Sequence, residues 1–61
     1  MAQTQAEYRD LLHELGDYPQ ISPFDRERLD RWIEIDEATA PEITPLEQKA
    51  LDAMELRYLG I

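Results

Sequence analysis

The single histidine of the chain stands among carboxylates at helical spacing. Four residues follow one another at i, i+3, i+4 and i+7, so in a helix they line one face: Asp10, His13, Glu14 and Asp17. One imidazole with three carboxylates holds a divalent cation only weakly, and structural zinc sites use cysteine and several histidines, which this chain lacks. We therefore interpret this face as a solvated helix surface and predict no metal site and no cofactor.

The sequence contains few residues that could act as a catalytic nucleophile. Cysteine is absent, and the only serine, Ser22, stands directly before Pro23, where a helix N-cap is predicted. A Ser–His–acid triad would need Ser22 and His13 to converge in a domain with little room for a cleft. The only glycines, Gly16 and Gly60, exclude a phosphate-binding glycine loop. We predict that the protein is not an enzyme.

The acidic residues recur at one regular interval in two segments. In each segment four carboxylates follow the spacing i, i+3, i+7, i+10, which places them in one row along a helix. The first row is Glu7, Asp10, Glu14 and Asp17, and the second row is Glu27, Asp30, Glu34 and Glu37. Like charges at this spacing cost a helix about a few tenths of a kcal/mol per pair. A row of this kind resembles one strand of a nucleic-acid backbone and would attract a basic groove on a partner. The alternative is that both rows are only the wet faces of amphipathic helices.

Three helix start signals divide the chain that carries these rows. Each predicted helix follows a residue whose hydroxyl can cap it, and proline occupies the first position of the second and third helices. The capping residues are Thr4, Ser22 and Thr44. Gly16 and Gly60 stand where helix C-termini favour glycine. Because valine and apolar–polar alternation are absent, the sequence predicts one all-α domain over 1–61, with three helices at about 5–15, 23–38 and 45–59.

The apolar residues of these helices predict a core. The first helix presents Tyr8, Leu11, Leu12 and Leu15. The second presents Phe24, Leu29, Trp32, Ile33 and Ile35, and the third presents Leu46, Ala50, Leu51, Met54 and Tyr58. Leu56 and Leu59 fall outside this last face, which makes the third helix apolar nearly all round, as helices buried on two sides are. A second copy or a larger partner would cover the extra side. The predicted apolar contact residues are Trp32, Leu56, Tyr58, Leu59 and Ile61, although Trp32 also suits the core of a bundle.

The composition excludes several classes of function. Fourteen acidic residues against six basic ones give a net charge of −8, which disfavours direct binding to nucleic acid. Arg26, Arg28 and Arg31 cluster, but acidic residues alternate with them, and Glu27 stands four residues before Arg31, the spacing of an intrahelical ion pair. No apolar run approaches the ~20 residues that span a membrane. With no cysteine and no secretory signal, we expect a protein of the cytoplasm, or of the host cytoplasm if the chain is phage-encoded.

Two functions remain open. The first is an inhibitor or regulator that occupies a basic, nucleic-acid-binding surface of another protein. Small phage-encoded anti-CRISPR and anti-restriction proteins act in this way, and the likeness to them is one of size and charge. The second is an assembly, adaptor or dimerisation module that docks through the apolar side of the third helix. Added salt distinguishes them, because it weakens contacts between charges and leaves apolar docking nearly unchanged.

Overall fold

A computed structural model describes residues 3–60, and within that range the chain is helical, with no strand. The helices are α1 (Gln5–Gly16), α2 (Pro23–Thr39) and α3 (Pro45–Met54), and α3 continues directly into one π-helical turn, Glu55–Leu59. The predicted all-α, three-helix fold is confirmed, and the observed ends of α1 and α2 each lie one residue beyond the predicted ones.

Local capping explains where these helices begin and end. Thr4 and Glu7 form a complete capping box, in which each side chain accepts a hydrogen bond from the backbone N–H of the other. Ser22 and Thr44 each accept a hydrogen bond from the backbone N–H three residues on. Helix α2 stops at Ala40, whose backbone is left-handed (φ 45°), because the proline that follows disfavours helical geometry there.

Helix α1 is the central element of the fold. It packs against both α2 and α3, which share little direct contact with each other. The buried core consists of Tyr8, Leu11, Leu12, Leu15, Ile21, Leu29, Ile43, Leu51 and Met54. Gly16 lets α2 approach closely, because a Cβ atom at this position would lie 2.2 Å from Cδ1 of Ile33. No helix in the described part of the chain is both long and apolar enough to cross a membrane.

Three residues that were predicted to face the core are instead exposed. Phe24 is 70% exposed, Ile35 45% and Leu46 76%. On α2 two carboxylates, Asp25 and Asp36, occupy core-facing positions, and the neighbouring apolar residues therefore lie to one side. Leu46 stands in the first turn of α3, rotated away from the face that buries Leu51 and Met54.

The π-helical turn changes the direction of the last side chains. Its i→i+5 hydrogen bond runs from the Gly60 N–H to the Glu55 carbonyl at 3.0 Å. The wider turn brings Tyr58 and Leu59 against the core, although the helical spacing predicted Leu59 outside it. Leu56, which stands one residue into the turn, stays 66% exposed.

Candidate protein-binding surface

One carboxylate whose side chain is only 9% exposed, Asp36, joins α1 to α2. Nε of Arg9 donates to its Oδ1 at 2.6 Å, and Nε2 of His13 lies 2.9 Å from its Oδ2. The hydrogen bond from His13 is the largest cause that lowers the pKa of Asp36 below its ordinary value of 3.8, and Arg9 is the next cause. Burial acts in the opposite direction and is outweighed.

A second carboxylate, the buried Asp25, joins α2 to the π-helical turn. The hydroxyl of Tyr58 donates to Oδ2 of Asp25 at 2.6 Å, and Nη1 of Arg57 donates to the same oxygen at 3.1 Å. The Tyr58 hydroxyl also hydrogen-bonds the Ser22 hydroxyl at 3.2 Å. The hydrogen bond from Tyr58 is the largest cause that lowers the pKa of Asp25, and the charge of Arg57 adds to it.

Most of the basic side chains serve contacts inside the molecule. Arg9 and Arg57 bind these two carboxylates, and Arg26 donates to the backbone carbonyls of Gly16 and Tyr18. Arg28 lies 3.9 Å from Asp25, between the rings of two aromatic residues of α2. Of the arginines of α2, Arg26 and Arg28 are thus held by neighbouring groups.

The ion pair predicted between Glu27 and Arg31 is not formed. The ion pairs of residues 3–60 involve only Asp25 and Asp36 as acidic partners. Arg31 instead lines a shallow groove of about 330 Å³ on the side of α2, together with Phe24, Glu27, Arg28 and Trp32.

The two rows of carboxylates lie on the outside of the helices. We call Glu7, Asp10, Glu14 and Asp17 the α1 row, and Glu27, Asp30, Glu34 and Glu37 the α2 row. All eight side chains are exposed, and within residues 3–60 none of them forms an ion pair. No ion pair in the described part of the chain cancels their charges, although Arg28 and Arg31 line the same groove as Glu27.

The α1 row borders a shallow acidic groove of about 320 Å³. Three of its carboxylates line this groove, and Glu55 of the π-helical turn adds a fourth. Nε2 of Gln3 donates to Glu55 at 3.2 Å and holds that side chain at the edge of the groove. The sequence did not assign Glu55 to this surface, because its place beside α1 depends on how α3 packs.

Among the described residues, the predicted apolar contact residues are divided between the core and the surface. Trp32, Tyr58 and Leu59 are partly buried and pack against the core. Leu56 is exposed, and Ile61 lies outside the described residues.

The face that carries His13 is a solvated surface in this structure. Asp10, Glu14 and Asp17 are exposed, while His13 turns toward Asp36 on α2. No group of three or more residues capable of holding a metal ion occurs within residues 3–60.

Sequence reasoning missed the carboxylates of Asp25 and Asp36. Asp25, Leu29 and Asp36 stand at i, i+4 and i+11, so they share one helical face, and this spacing was the available signal.

We compared the chain with protein-family models, curated proteins and solved structures, and none of them matches it.

Proposed function

We propose that the protein is a non-enzymatic protein-binding module that uses its rows of carboxylates to occupy a basic surface of a partner protein. One observation carries this proposal: the eight carboxylates of the rows are exposed and form no ion pair within residues 3–60, while four of the five arginines contact other groups. A protein selected only for stability would gain from placing some of those arginines beside the rows. The distribution of charge therefore favours an external cationic partner.

The spacing of the rows suits a basic groove that binds nucleic acid. Each row spans eleven residues, so its ends lie ~15 Å apart along the helix axis, and it presents four charges over that length. Rows of this density raise the rate at which a cationic surface is encountered, and each arginine that pairs with a carboxylate adds a charge-assisted hydrogen bond. By occupying such a groove the protein would compete with nucleic acid, the action of an inhibitor such as the small phage anti-defence proteins.

The α1 row is the better candidate for the central contact. Glu55 extends it across the groove beside α1, so that carboxylates approach a partner from two elements. Within residues 3–60, the groove beside the α2 row is lined by residues of α2 alone.

The test uses basic proteins as the probe. Proteins that a heparin column retains from a bacterial lysate are passed over the immobilised protein, and the bound ones are challenged with DNA and with increasing salt. We expect binding that DNA displaces and that falls steeply between about 50 and 200 mM salt, because contacts between charges are screened. Binding that neither salt nor DNA changes would contradict the proposal.

A matched pair of variants locates the contact. Asp10→Asn with Glu14→Gln removes two charges from the α1 row, and Glu42→Gln with Glu47→Gln removes two charges outside both rows. We expect the first variant to lose about tenfold in affinity, mainly through slower association, and the second to bind nearly as the original. Equal binding by the two variants would show that only net charge matters.

A second candidate function is an assembly or adaptor module that docks through α3. Leu46 of α3 and Leu56 of the π-helical turn are 76% and 66% exposed. Large apolar side chains exposed together are typical of contact surfaces.

A further inference from the structure

The outward positions of α3, continued into the π-helical turn, repeat the spacing of the two acidic rows with different side chains. The residues at i, i+3, i+7 and i+10 are Leu46, Lys49, Ala53 and Leu56, and all four are exposed. We call them the α3 row. The same spacing on α1 and α2 holds only carboxylates, so the outer face of α3 differs in kind from the other two.

This spacing is that of the a and d positions of two heptads, through which helices pack side by side in coiled coils. In the α3 row, leucines occupy both ends and the small Ala53 occupies one inner position. Lys49 occupies the other, and within residues 3–60 it forms no ion pair. The α3 row thus has the pattern of residues through which one helix packs against another, and it leaves them exposed for a partner outside the chain.

The row is complementary to itself when two copies run antiparallel. A two-fold axis beside position 51 sets Leu46 of one copy against Leu56 of the other, at both ends of the seam. It also sets Lys49 against Ala53, where the small side chain leaves room for the aliphatic stem of the lysine. The ammonium group of Lys49 then lies next to Asp52 of the second copy, whose Oδ2 accepts a hydrogen bond from the Tyr8 hydroxyl at 3.0 Å, so the lysine would pair with Oδ1. We propose that the partner of the α3 row is a second copy of this chain, in an antiparallel two-fold dimer.

Charge favours the α3 row as the place where two copies meet. Each copy carries a net charge of −8, so contact through the α1 or α2 rows brings carboxylates against carboxylates. The α3 row contains one cation and no carboxylate. A seam of two heptads is shorter than a permanent interface requires, and we therefore expect a dimer that forms and dissociates with concentration.

This inference names the partner of the second candidate function and does not depend on the acidic rows. The two also respond to salt in opposite directions. Salt weakens contacts between the rows and a basic partner, whereas it screens the repulsion between two acidic copies and strengthens their dimer. Failure of one proposal therefore leaves the other measurable.

Sedimentation velocity and light scattering over a range of concentration test the dimer. We expect the mass to rise from 7.2 kDa toward twice that value with concentration, and to rise further when salt is added. A single monomeric mass at every concentration and salt level overturns the proposal.

Substitutions in the α3 row test whether this row, and not another exposed apolar group, forms the dimer contact. Leu46→Glu with Leu56→Glu is expected to weaken the dimer about tenfold or more, because burying a carboxylate is unfavourable. The matched control, Phe24→Glu with Ile35→Glu, changes two exposed apolar side chains of α2 and leaves the dimer intact. Lys49→Leu is expected to tighten the dimer, which makes the test independent of any variant that fails to fold. A control that dissociates the dimer equally, or a Lys49→Leu dimer no tighter than the original, overturns the proposal.

Disulfide cross-linking tests the antiparallel direction, since the chain has no cysteine of its own. A mixture of Lys49→Cys and Ala53→Cys proteins is expected to form a mixed disulfide dimer on mild oxidation. Leu46→Cys alone is expected to remain uncrosslinked, because antiparallel packing separates the two copies of this residue by ~15 Å along the helix. Efficient Leu46→Cys cross-linking together with absence of the mixed dimer overturns the antiparallel arrangement.

Discussion

The carboxylates at the core and those on the outer rows use charge in opposite ways. The side chains of Asp25 and Asp36 are only 4% and 9% exposed, and each is bound by groups from another element. The eight carboxylates of the rows are exposed and form no ion pair within residues 3–60. Net charge alone therefore does not describe how charge is distributed over this molecule. Its cations stabilise Asp25 and Asp36 near the core, and the outer rows stay negative.

Removal of an inner carboxylate is expected to have the largest effect on stability. Asp25→Ala leaves Arg57 and Tyr58 without their buried partner, and we expect the free energy of unfolding to fall by about 3 kcal/mol. For a chain of this length the whole stability is roughly 3–9 kcal/mol, so the variant stands near the limit of folding. Urea unfolding followed by circular dichroism measures the change.

Asp30→Ala is the matched control for this variant, because it removes a carboxylate of the α2 row from the same helix. We expect its stability to change by less than about 0.5 kcal/mol. Similar losses in the two variants would contradict the distinction between the inner and the outer carboxylates.

A smaller change in the same cluster separates the hydrogen bond from the charge. Tyr58→Phe removes the hydroxyl that donates to Asp25 and keeps the ring, so we expect a loss of about 1–2 kcal/mol in unfolding free energy. Tyr18→Phe is the control, because that ring packs against Tyr58 at 6.4 Å while its hydroxyl takes no part in the cluster. Equal losses from both substitutions would assign the effect to packing.

Acid is expected to destabilise the protein through these two carboxylates. The pKa values of Asp25 and Asp36 are lowered in the folded state, so as the pH falls below about 3.8 the unfolded chain takes up protons first. The stability that both groups contribute is present above that pH and is lost as the pH falls through their folded pKa values.

The measurement compares the unfolding free energy of the original with that of the double variant Asp25→Asn, Asp36→Asn between pH 6 and pH 2, about the range over which carboxyls titrate. The variant is expected to start lower and to decline less steeply in acid. The two proteins differ only at these two positions, so the contributions of all other groups largely cancel. If the unfolding free energies of the two proteins declined in parallel with pH, groups other than Asp25 and Asp36 would cause the acid destabilisation.

These two carboxylates also show why the predicted core face was right on α1 and wrong on α2 at Phe24 and Ile35. The capping box and the apolar face of α1 depend on residues within a few positions of one another, and all four predicted core residues are buried. The burial of Asp36 depends on Arg9, 27 residues away, and that of Asp25 on Tyr58, 33 residues away. Local spacing carries no direct signal of such partners, so the sequence predicted apolar residues in their place.

The surfaces were predictable to different degrees for the same reason. Exposure of both acidic rows follows from helical spacing alone, because they lie away from the apolar faces. The direction of Leu59 depends on a π-helical turn, and the place of Glu55 depends on how α3 packs against α1. Both are tertiary effects, and neither could be obtained from the periodicity of an α-helix.

The smallest expected effect concerns the outer rows in the free protein. Neutralising the α2 row with Glu27→Gln, Asp30→Asn, Glu34→Gln and Glu37→Gln removes repulsion between neighbours, so we expect unfolding free energy to rise by about 0.5–1 kcal/mol at low salt. Added salt screens the same repulsion over about 10 Å at 0.1 M, so the original should gain stability with salt while the variant gains less. Urea unfolding at two salt concentrations measures both the stability gained by neutralising the row and the stability gained with salt. A variant that is less stable than the original at low salt would show that the row is stabilised within the molecule, and the case for an external cationic partner would lose its main support.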